Sequence, residues 1–557
     1  MSKITLRTCV SATGHFSYGI HKPRFTAVNL RKKDYIVTLG HTVDDQPVTN
    51  TANFPKGPVH VAASGEVFEI PNAFPFFGAT FIPKAGADRQ ISGCNPFETE
   101  SPVSTTQERS KMPHGNERLE DLGRPALLAL AKASSDPVLL SRLAERSCRF
   151  VHDKESGYPT GMRYERTESG RLRPAVRDHY LFEVVSNNPW LPDAYKRAMV
   201  LTPGAQGDSP IMGEYDHDGT HIWEYLRENS YIPWGHYAAN MAHDAIRYTV
   251  SSLSLADIVG LRHLYYQRIY IQLAESLNLS VPEANGPLSP NSLEDLRRRA
   301  VEAVETLAAK KRPLPFNGTI WGQNFGFDLS PSGYRLNASH QQIHQQYALV
   351  PPAVPEWTGT LEKTGAEPIP TYVQGDLVTA FIREYREAVG RPFFELYLKA
   401  IQNNVRTDGH PDKSPSLVYY EDEHVTAFVP KAQRSQGEVQ IITKKPVGNI
   451  IEADLEVRYS LDRAIWLTMR ILEALGARMI TIFDLSKRFD DPNCDQHLVY
   501  CFLPRHPQSP GSFSEFQQRW IIGHYPEDFA ETCRQQVPKL MGPAGQPEDA
   551  GSWNNPK

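Results

Sequence analysis

The chain has 557 residues, 40% of them hydrophobic, with 59 basic and 64 acidic residues and a net charge of −5. That length accommodates roughly two to four structural units, and the interspersed charges exclude a polyphosphate track for long nucleic acid while allowing a local pocket for a small anion. The N-terminal Met1-Ser-Lys-Ile-Thr-Leu-Arg7 lacks the apolar core of a signal peptide, and no uncharged apolar run approaches the ~18 residues of a membrane span.

A cytoplasmic protein with no membrane partner is therefore expected. Its six cysteines (Cys9, Cys94, Cys148, Cys494, Cys501 and Cys533) are scattered, with no Cys-x-x-Cys pair. That argues against a disulfide framework or a thiolate zinc knuckle.

Residues 1 to 98 alternate in short stretches such as Tyr35-Ile-Val-Thr-Leu39 and Gly65-Glu-Val-Phe-Glu-Ile70 between turns, which predicts a small β-rich module. Residues 99–118 are polar and poor in large apolar groups, as in a linker, so module and linker together span 1–118. Leu127, Leu128, Leu130, Leu139, Leu140 and Leu143 recur with helical spacing broken near Pro137, whereas 150–212 is Pro- and aromatic-rich and predicted irregular. Residues 119–214 thus form a helical and irregular connecting region.

Within 215–352 an amphipathic segment (254–278) and a charged helix (293–311) precede two strands. These are Ile320-Trp-Gly-Gln-Asn-Phe-Gly-Phe327 and Gln346-Tyr-Ala-Leu-Val-Pro351, joined through Pro331-Ser-Gly333. A Pro-rich connector and one amphipathic helix (373–402) fill 353–414. From 415 to 508 the order of elements repeats: strands at 416–420, 425–429 and 438–442, a helix at 461–475, and strands at 479–483 and 497–504. Residues 509–557 read as a partly disordered extension.

The chemistry centres on Asn337-Ala-Ser-His-Gln-Gln-Ile-His-Gln-Gln346. A histidine at a strand end, with a Gln two positions on, can aim a neutral imidazole at phosphorus while the amide donates to the phosphate. His344 and Gln346 fit that pattern. Ser339 and nearby amides are candidates to hold phosphate oxygens. The bland alternative is a hydrogen-bonded structural histidine.

Asn324-Phe-Gly326 followed by Ala338-Ser-His-Gln-Gln-Ile-His-Gln-Gln-Tyr347 resembles the active-site hairpin of the galactose-1-phosphate uridylyltransferase and diadenosine tetraphosphate phosphorylase branch of the histidine-triad superfamily. The resemblance implies that Asn324 orients the nucleophile, Ser339 binds phosphate, His344 is nucleotidylated and Gln346 contacts the phosphoryl group. Gly326, His340 and Gln342 fall beside the substrate. The first His of the family's His-x-His falls on Gln342, an extra histidine stands at His340, and the turn is longer.

Gln is a poor zinc ligand and the family's Cys pair is missing, so that zinc site is not expected. The resemblance covers roughly 220–352 and 415–506. In its second part Glu438 and His497 match positions that bind a structural metal in some members, while Val499 and Cys501 stand where others carry His.

Other candidates are weaker. His217, His221, His236 and His243, with Asp216, Asp218, Glu224 and Asp244, match no compact metal motif, and surface or pocket polarity explains them better. Glu228 to Asn240, with Asn229 and Asn240, mixes aromatic and amide groups that could stack a base or bond a sugar, or form a packed turn. Arg297-Arg-Arg299 and Lys310-Lys-Arg312 suit a solvated helix face. Lys444, Lys445 and Arg505 are rim candidates, and Asp490-Asp491 reads as a turn.

The expected fold is α+β: two tandem histidine-triad-like halves, each an antiparallel sheet with packed helices, behind an N-terminal β-rich module. The expected activity is nucleotidyl transfer through a covalent nucleotidyl-histidine, acting on a nucleoside diphosphate sugar or a (di)nucleoside polyphosphate. Phosphorolysis or hydrolysis of the same substrates, or non-catalytic nucleotide binding, are the alternatives. No organic cofactor is required, a divalent metal is compatible, and the partners are a nucleotide and a phosphorylated small molecule, in a monomer or homodimer.

Overall fold

The computed structural model describes residues 7–27, 36–41, 47–50, 57–61, 65–90, 95–97, 119, 122–166, 172–186, 188, 190–199, 254–283, 287–326, 344–356, 368–477, 479–505 and 512–541. Among these, the N-terminal strands β1 (Gly19–His21), β2 (Val67–Pro71) and β3 (Ala79–Pro83) form one antiparallel sheet, with short hairpins beside it. The predicted leucine repeat forms α1 (Arg124–Ala133) and α2 (Pro137–Ser147). Pro137 starts the second helix, where its missing N–H costs nothing, and the Asp136 carboxylate accepts from Val138 N.

The expectation of irregular chain from 150 needs correction. Phe150–His152 pairs with Pro159–Met162, Tyr164–Arg166 pairs with Leu172–Pro174, and α3 (His179–Ser186) and α4 (Asp193–Met199) follow. Leu181, Phe182, Val185 and Met199 are buried against α1 and α2. The strands are only three or four residues long, too short to display an alternation.

α5 (Leu255–Ser276) is not amphipathic, as its spacing had suggested. Ile258, Leu261, Leu264, Tyr265, Ile269, Tyr270 and Leu273 are all buried, because the helix packs against α6 (Pro290–Ala309), α9 (Leu455–Ala474) and the main sheet at once. Between α6 and α9 the predicted single helix at 373–402 is two, α7 (Gln374–Val389) and α8 (Phe393–Gln402). Gly390, at φ +77°, closes α7 in the left-handed conformation that glycine adopts without strain, and Pro392 bars continuation.

The expectation of two separate sheets is corrected too. Strands β4 (Gly318–Gly326), β5 (His344–Val350), β6 (Val418–Glu421), β7 (Val425–Phe428), β8 (Val439–Thr443), β9 (Met479–Leu485) and β10 (Val499–Pro504) form one seven-stranded sheet. Its order is β5-β4-β9-β10-β8-β7-β6, antiparallel throughout. β4 pairs with β9 from Gly322↔Phe483 to Gly326↔Met479, so the backbone N–H and C=O groups at that edge are used in joining the hairpin to the later strands.

One face of this sheet packs under α5, α6 and α9. The other, from β9 to β6, packs under α7, α8 and the N-terminal strands. With both faces covered, every residue of β7 and β8 is buried, the polar Thr426, Gln440 and Thr443 included. Phe74 meets Phe393, Phe394 and Tyr397 with ring centroids 5.6–6.1 Å apart. Each such buried ring stabilises by about 1.5–3 kcal/mol relative to exposure.

The C-terminal extension carries structure as well. β11 (Arg519–Ile521) joins β3 in parallel, completing a four-stranded sheet β1-β2-β3-β11, and α10 (Pro526–Leu540) packs on α9 and β6.

Candidate functional site

The β4–β5 hairpin forms because both strands alternate. Thr319, Trp321 and Gln323 on β4, and Gln345 and Tyr347 on β5, are buried toward α5. Trp321 Nε1 donates to Gln345 Oε1 at 2.9 Å, and Tyr347 lies 5.2 Å from the ring of Tyr265. Ile320, of the opposite parity, is 47% exposed. Among the described residues, this end of the sheet is therefore covered on one face and uncovered on the other.

Asn324, His344 and Gln346 occupy that second parity. The ladder pairs Asn324 with His344 and Gly322 with Gln346, while Asn324 also pairs with Thr481, and Gly326 with Met479, of β9. His344 is the first residue of β5, an edge strand. The sequence separates Asn324 from His344 by twenty positions, and the hairpin closes that gap to one cross-strand step of about 4.5–5.5 Å between Cα atoms. Ser339, His340 and Gln342 lie outside the described residues. So do Asn229, Asn240, His217, His221, His236 and His243 with their acidic neighbours.

Glu438 and His497 are not brought together. β8 and β10 run antiparallel, and Glu438 precedes the Val439↔Phe502 end whereas His497 precedes the Ile442↔Val499 end. The fully buried Glu438 carboxylate takes the backbone N–H of Arg434 at 2.5 Å, Arg434 Nε at 3.0 Å and Gln440 Nε2 at 3.0 Å. With its oxygens so occupied by a fixed cation and amides, Glu438 is a structural ion-pair member. His497 Nδ1 lies 2.6 Å from the Thr443 carbonyl, and its ring stacks on Phe394 at 4.8 Å. Among the described residues no group of three or more His, Cys, Asp or Glu is placed to hold a metal ion.

A polar network below the hairpin went unread in the sequence. Arg262 of α5 is fully buried; it donates to Asp462 Oδ1 (3.0 Å), Tyr266 Oη (2.9 Å) and Tyr500 Oη (2.6 Å), and lies 4.6 Å from the Trp321 ring. Burial pushes the Asp462 carboxyl up to about 6 against the pull of Arg262. Burial also lifts Asp484, opposite Tyr500 on β9, to about 7, with Arg262 opposing. One signal was legible, an arginine within Ile258-Val-Gly-Leu-Arg-His-Leu-Tyr-Tyr266, since a charge amid such apolar residues needs a partner. Elsewhere, burial raises the Cys9, Cys148 and Cys501 thiols to about 12, which removes them as nucleophiles.

The hairpin thus offers a histidine position at a sheet edge, beside a face that no described residue covers, with asparagine across the ladder and glycines at 322 and 326 that leave close backbone approach. A histidine and an asparagine paired across adjacent strands bring together the residue types that attack on, and hydrogen bonding to, a phosphoryl group require.

No family model matches the chain, and no curated protein does. Solved structures do. A galactose-1-phosphate-uridylyltransferase-like protein from Arabidopsis thaliana is 14% identical, over 44% of this chain and 69% of its own, with a TM-score of 0.30. An ADP-glucose phosphorylase from Arabidopsis thaliana, solved with bound ADP-glucose, is 14% identical, over 44% of this chain and 66% of its own, with a TM-score of 0.30. A uridylyltransferase is 13% identical, over 46% of this chain and 70% of its own, with a TM-score of 0.32. The likeness to all three is distant.

Proposed function

We propose that the chain is a nucleotidyltransferase in which His344 carries the nucleotidyl group between two phosphate-bearing substrates. The observation that carries this reading is the cross-strand pairing of Asn324 with His344 in a hairpin whose sequence is Asn-x-Gly, then Ser-x-x-x-x-His-x-Gln. An imidazole nitrogen of His344 attacks the α-phosphorus of a nucleoside diphosphate sugar or (di)nucleoside polyphosphate. A P–N bond forms, the bond from phosphorus to the bridging oxygen breaks, and a sugar phosphate or nucleotide leaves with that electron pair.

A phosphate oxygen of the acceptor then attacks the same phosphorus, the P–N bond breaks, and neutral imidazole is restored. Asn324 orients the ring, and Ser339 and Gln346 bond the phosphoryl oxygens as negative charge accumulates there. Gly326, His340, Gln342, Asn229 and Asn240 are assigned to the substrate surround. No organic cofactor enters these steps, and the protein acts as a monomer or homodimer.

The test is incubation with UDP-glucose and ADP-glucose labelled at the α-phosphate. An acid-labile, base-stable label on the wild type and none on His344→Ala supports the reading; a wild type that binds either nucleotide but takes no label, with or without an added sugar phosphate, rejects it.

A further inference from the structure

A cleft lies at the other end of the sheet. On β10, Leu503 stands level with Thr481 and hence with the Asn324–His344 pair, whereas His497 lies six residues earlier. At ~3.3 Å per residue that is roughly 20 Å along the strands. There α8 and the Lys444–Pro446 turn border an open cleft of about 490 Å³, a volume within the range of small-molecule sites. Glu395, Leu398 and Lys399 line it from one helical face, opposite His497, Lys444 and Asp495.

Most of its charges are committed. Arg391 holds Glu395, Arg386 holds Asp495 at 2.6 Å, and Lys444 bonds Glu421 at 3.0 Å and the Asp422 carbonyl at 2.5 Å. Among the described residues Lys399 has no ion pair. Its stem packs over Gly14, where an added Cβ would lie 2.6 Å from Lys399 Cδ.

Nε2 of His497 is the second group in question. The residue is 94% buried, being 6% exposed, yet its ring reaches the cleft wall. The Thr443 carbonyl can only accept, so Nδ1 carries the proton, and stacking on Phe394 fixes the ring plane. Burial lowers the pKa of His497, which keeps the ring neutral. Nε2 is then an acceptor, without a protein donor among the described residues.

We propose that this cleft binds a phosphorylated polyol, Lys399 pairing with the phosphate and His497 Nε2 accepting from a hydroxyl. A bare phosphate dianion meets the cation but repels the Nε2 lone pair, and an uncharged polyol forgoes Lys399, so the cleft selects a molecule with both groups. The site is independent of the His344 chemistry.

Calorimetric titration of the full chain with glycerol 3-phosphate, inorganic phosphate and glycerol tests this. The wild type should bind glycerol 3-phosphate saturably, inorganic phosphate at least about tenfold more weakly, and glycerol not measurably. Lys399→Met keeps the packed stem and should weaken binding at least about tenfold. His497→Asn keeps a donor for the Thr443 carbonyl while deleting Nε2, and should bring glycerol 3-phosphate down to the affinity of inorganic phosphate. His344→Ala should bind as the wild type does. Absence of wild-type binding at millimolar ligand, wild-type affinity in either cleft variant, or loss of binding in His344→Ala each overturns the proposal.

Discussion

Arg262→Met keeps an unbranched stem of similar length and deletes a fully buried guanidinium. Hydrogen bonds to Asp462, Tyr266 and Tyr500 go with it, leaving Asp462 with the Tyr266 hydroxyl at 2.8 Å. Removing one partner of a buried pair costs about 3–5 kcal/mol, much of it from the stranded charge. The stranded charge gives the loss a pH signature. An unfolded Asp titrates near ~3.9, whereas native Asp462 is raised to about 6, so the native state holds a proton the unfolded chain releases. Stability therefore falls as pH rises, by up to ~1.4 kcal/mol per unit, until the folded pKa is passed.

In the wild type the Asp462 part of that fall ends near pH 6, because Arg262 opposes the burial of Asp462, and the Asp484 part ends near pH 7. Without Arg262 the folded pKa climbs and the fall continues, so the deficit of Arg262→Met grows between pH 6 and pH 8 by up to about 2.7 kcal/mol. Guanidinium unfolding followed by tryptophan fluorescence at pH 6, 7 and 8 measures it. Adding Asp462→Leu should return most of the stability and remove the Asp462 part of the pH dependence, leaving that of Asp484. A deficit equal at all three values, or below about 1 kcal/mol, would refute a charged Arg262–Asp462 pair as what joins α5 to α9.

Gly375→Ala places a Cβ 1.7 Å from the Ser486 carbonyl oxygen where α7 meets the end of β9. Backbone must move, and a thermal scan should show a transition lowered by several degrees, about 1–3 kcal/mol. Glu527→Gln removes the counter-ion of the buried Lys431 ammonium, which donates to Glu527 at 2.5 Å and keeps only Asn404 Oδ1 and the Val405 carbonyl, and should cost about 3–5 kcal/mol by chemical unfolding, with Lys431→Met partly compensating. Asn324→Ala, with an unchanged thermal transition, should lower kcat for nucleotide transfer by ~10²–10³ while KM stays near the wild-type value. An unaltered kcat would remove Asn324 from the site.

The strands of the main sheet were legible because their apolar runs are long or alternating: Ile320 to Phe327 gave β4 within two residues, and Met479-Ile-Thr-Ile-Phe483 gave the core of β9. Their partnership was not. Sequence order suggested a sheet per half, whereas β4 finds its second partner in β9, beyond the intervening connector, and no local pattern records that pairing. The helices at 374–402 merged in the reading because apolar spacing continues across Gly390-Arg391-Pro392, where the punctuation is three residues long. α10 was missed although Pro526 with Glu527 and Asp528 in the first turn marks a helix start; only Pro538 argues against its last turn, which packing on α9 and β6 sustains. At the site, Asn324 and His344 could be named from their motif, but the metal pairing of Glu438 with His497 could not survive a register that sets them at opposite ends of β8 and β10.

The covalent role of His344 is tested most directly by the stereochemical course of transfer, using a nucleotide donor made chiral at the α-phosphorus with sulfur or oxygen isotopes. Two successive in-line displacements, onto the imidazole and off it, predict net retention of configuration in the product. Net inversion, the mark of a single direct displacement, would contradict the account.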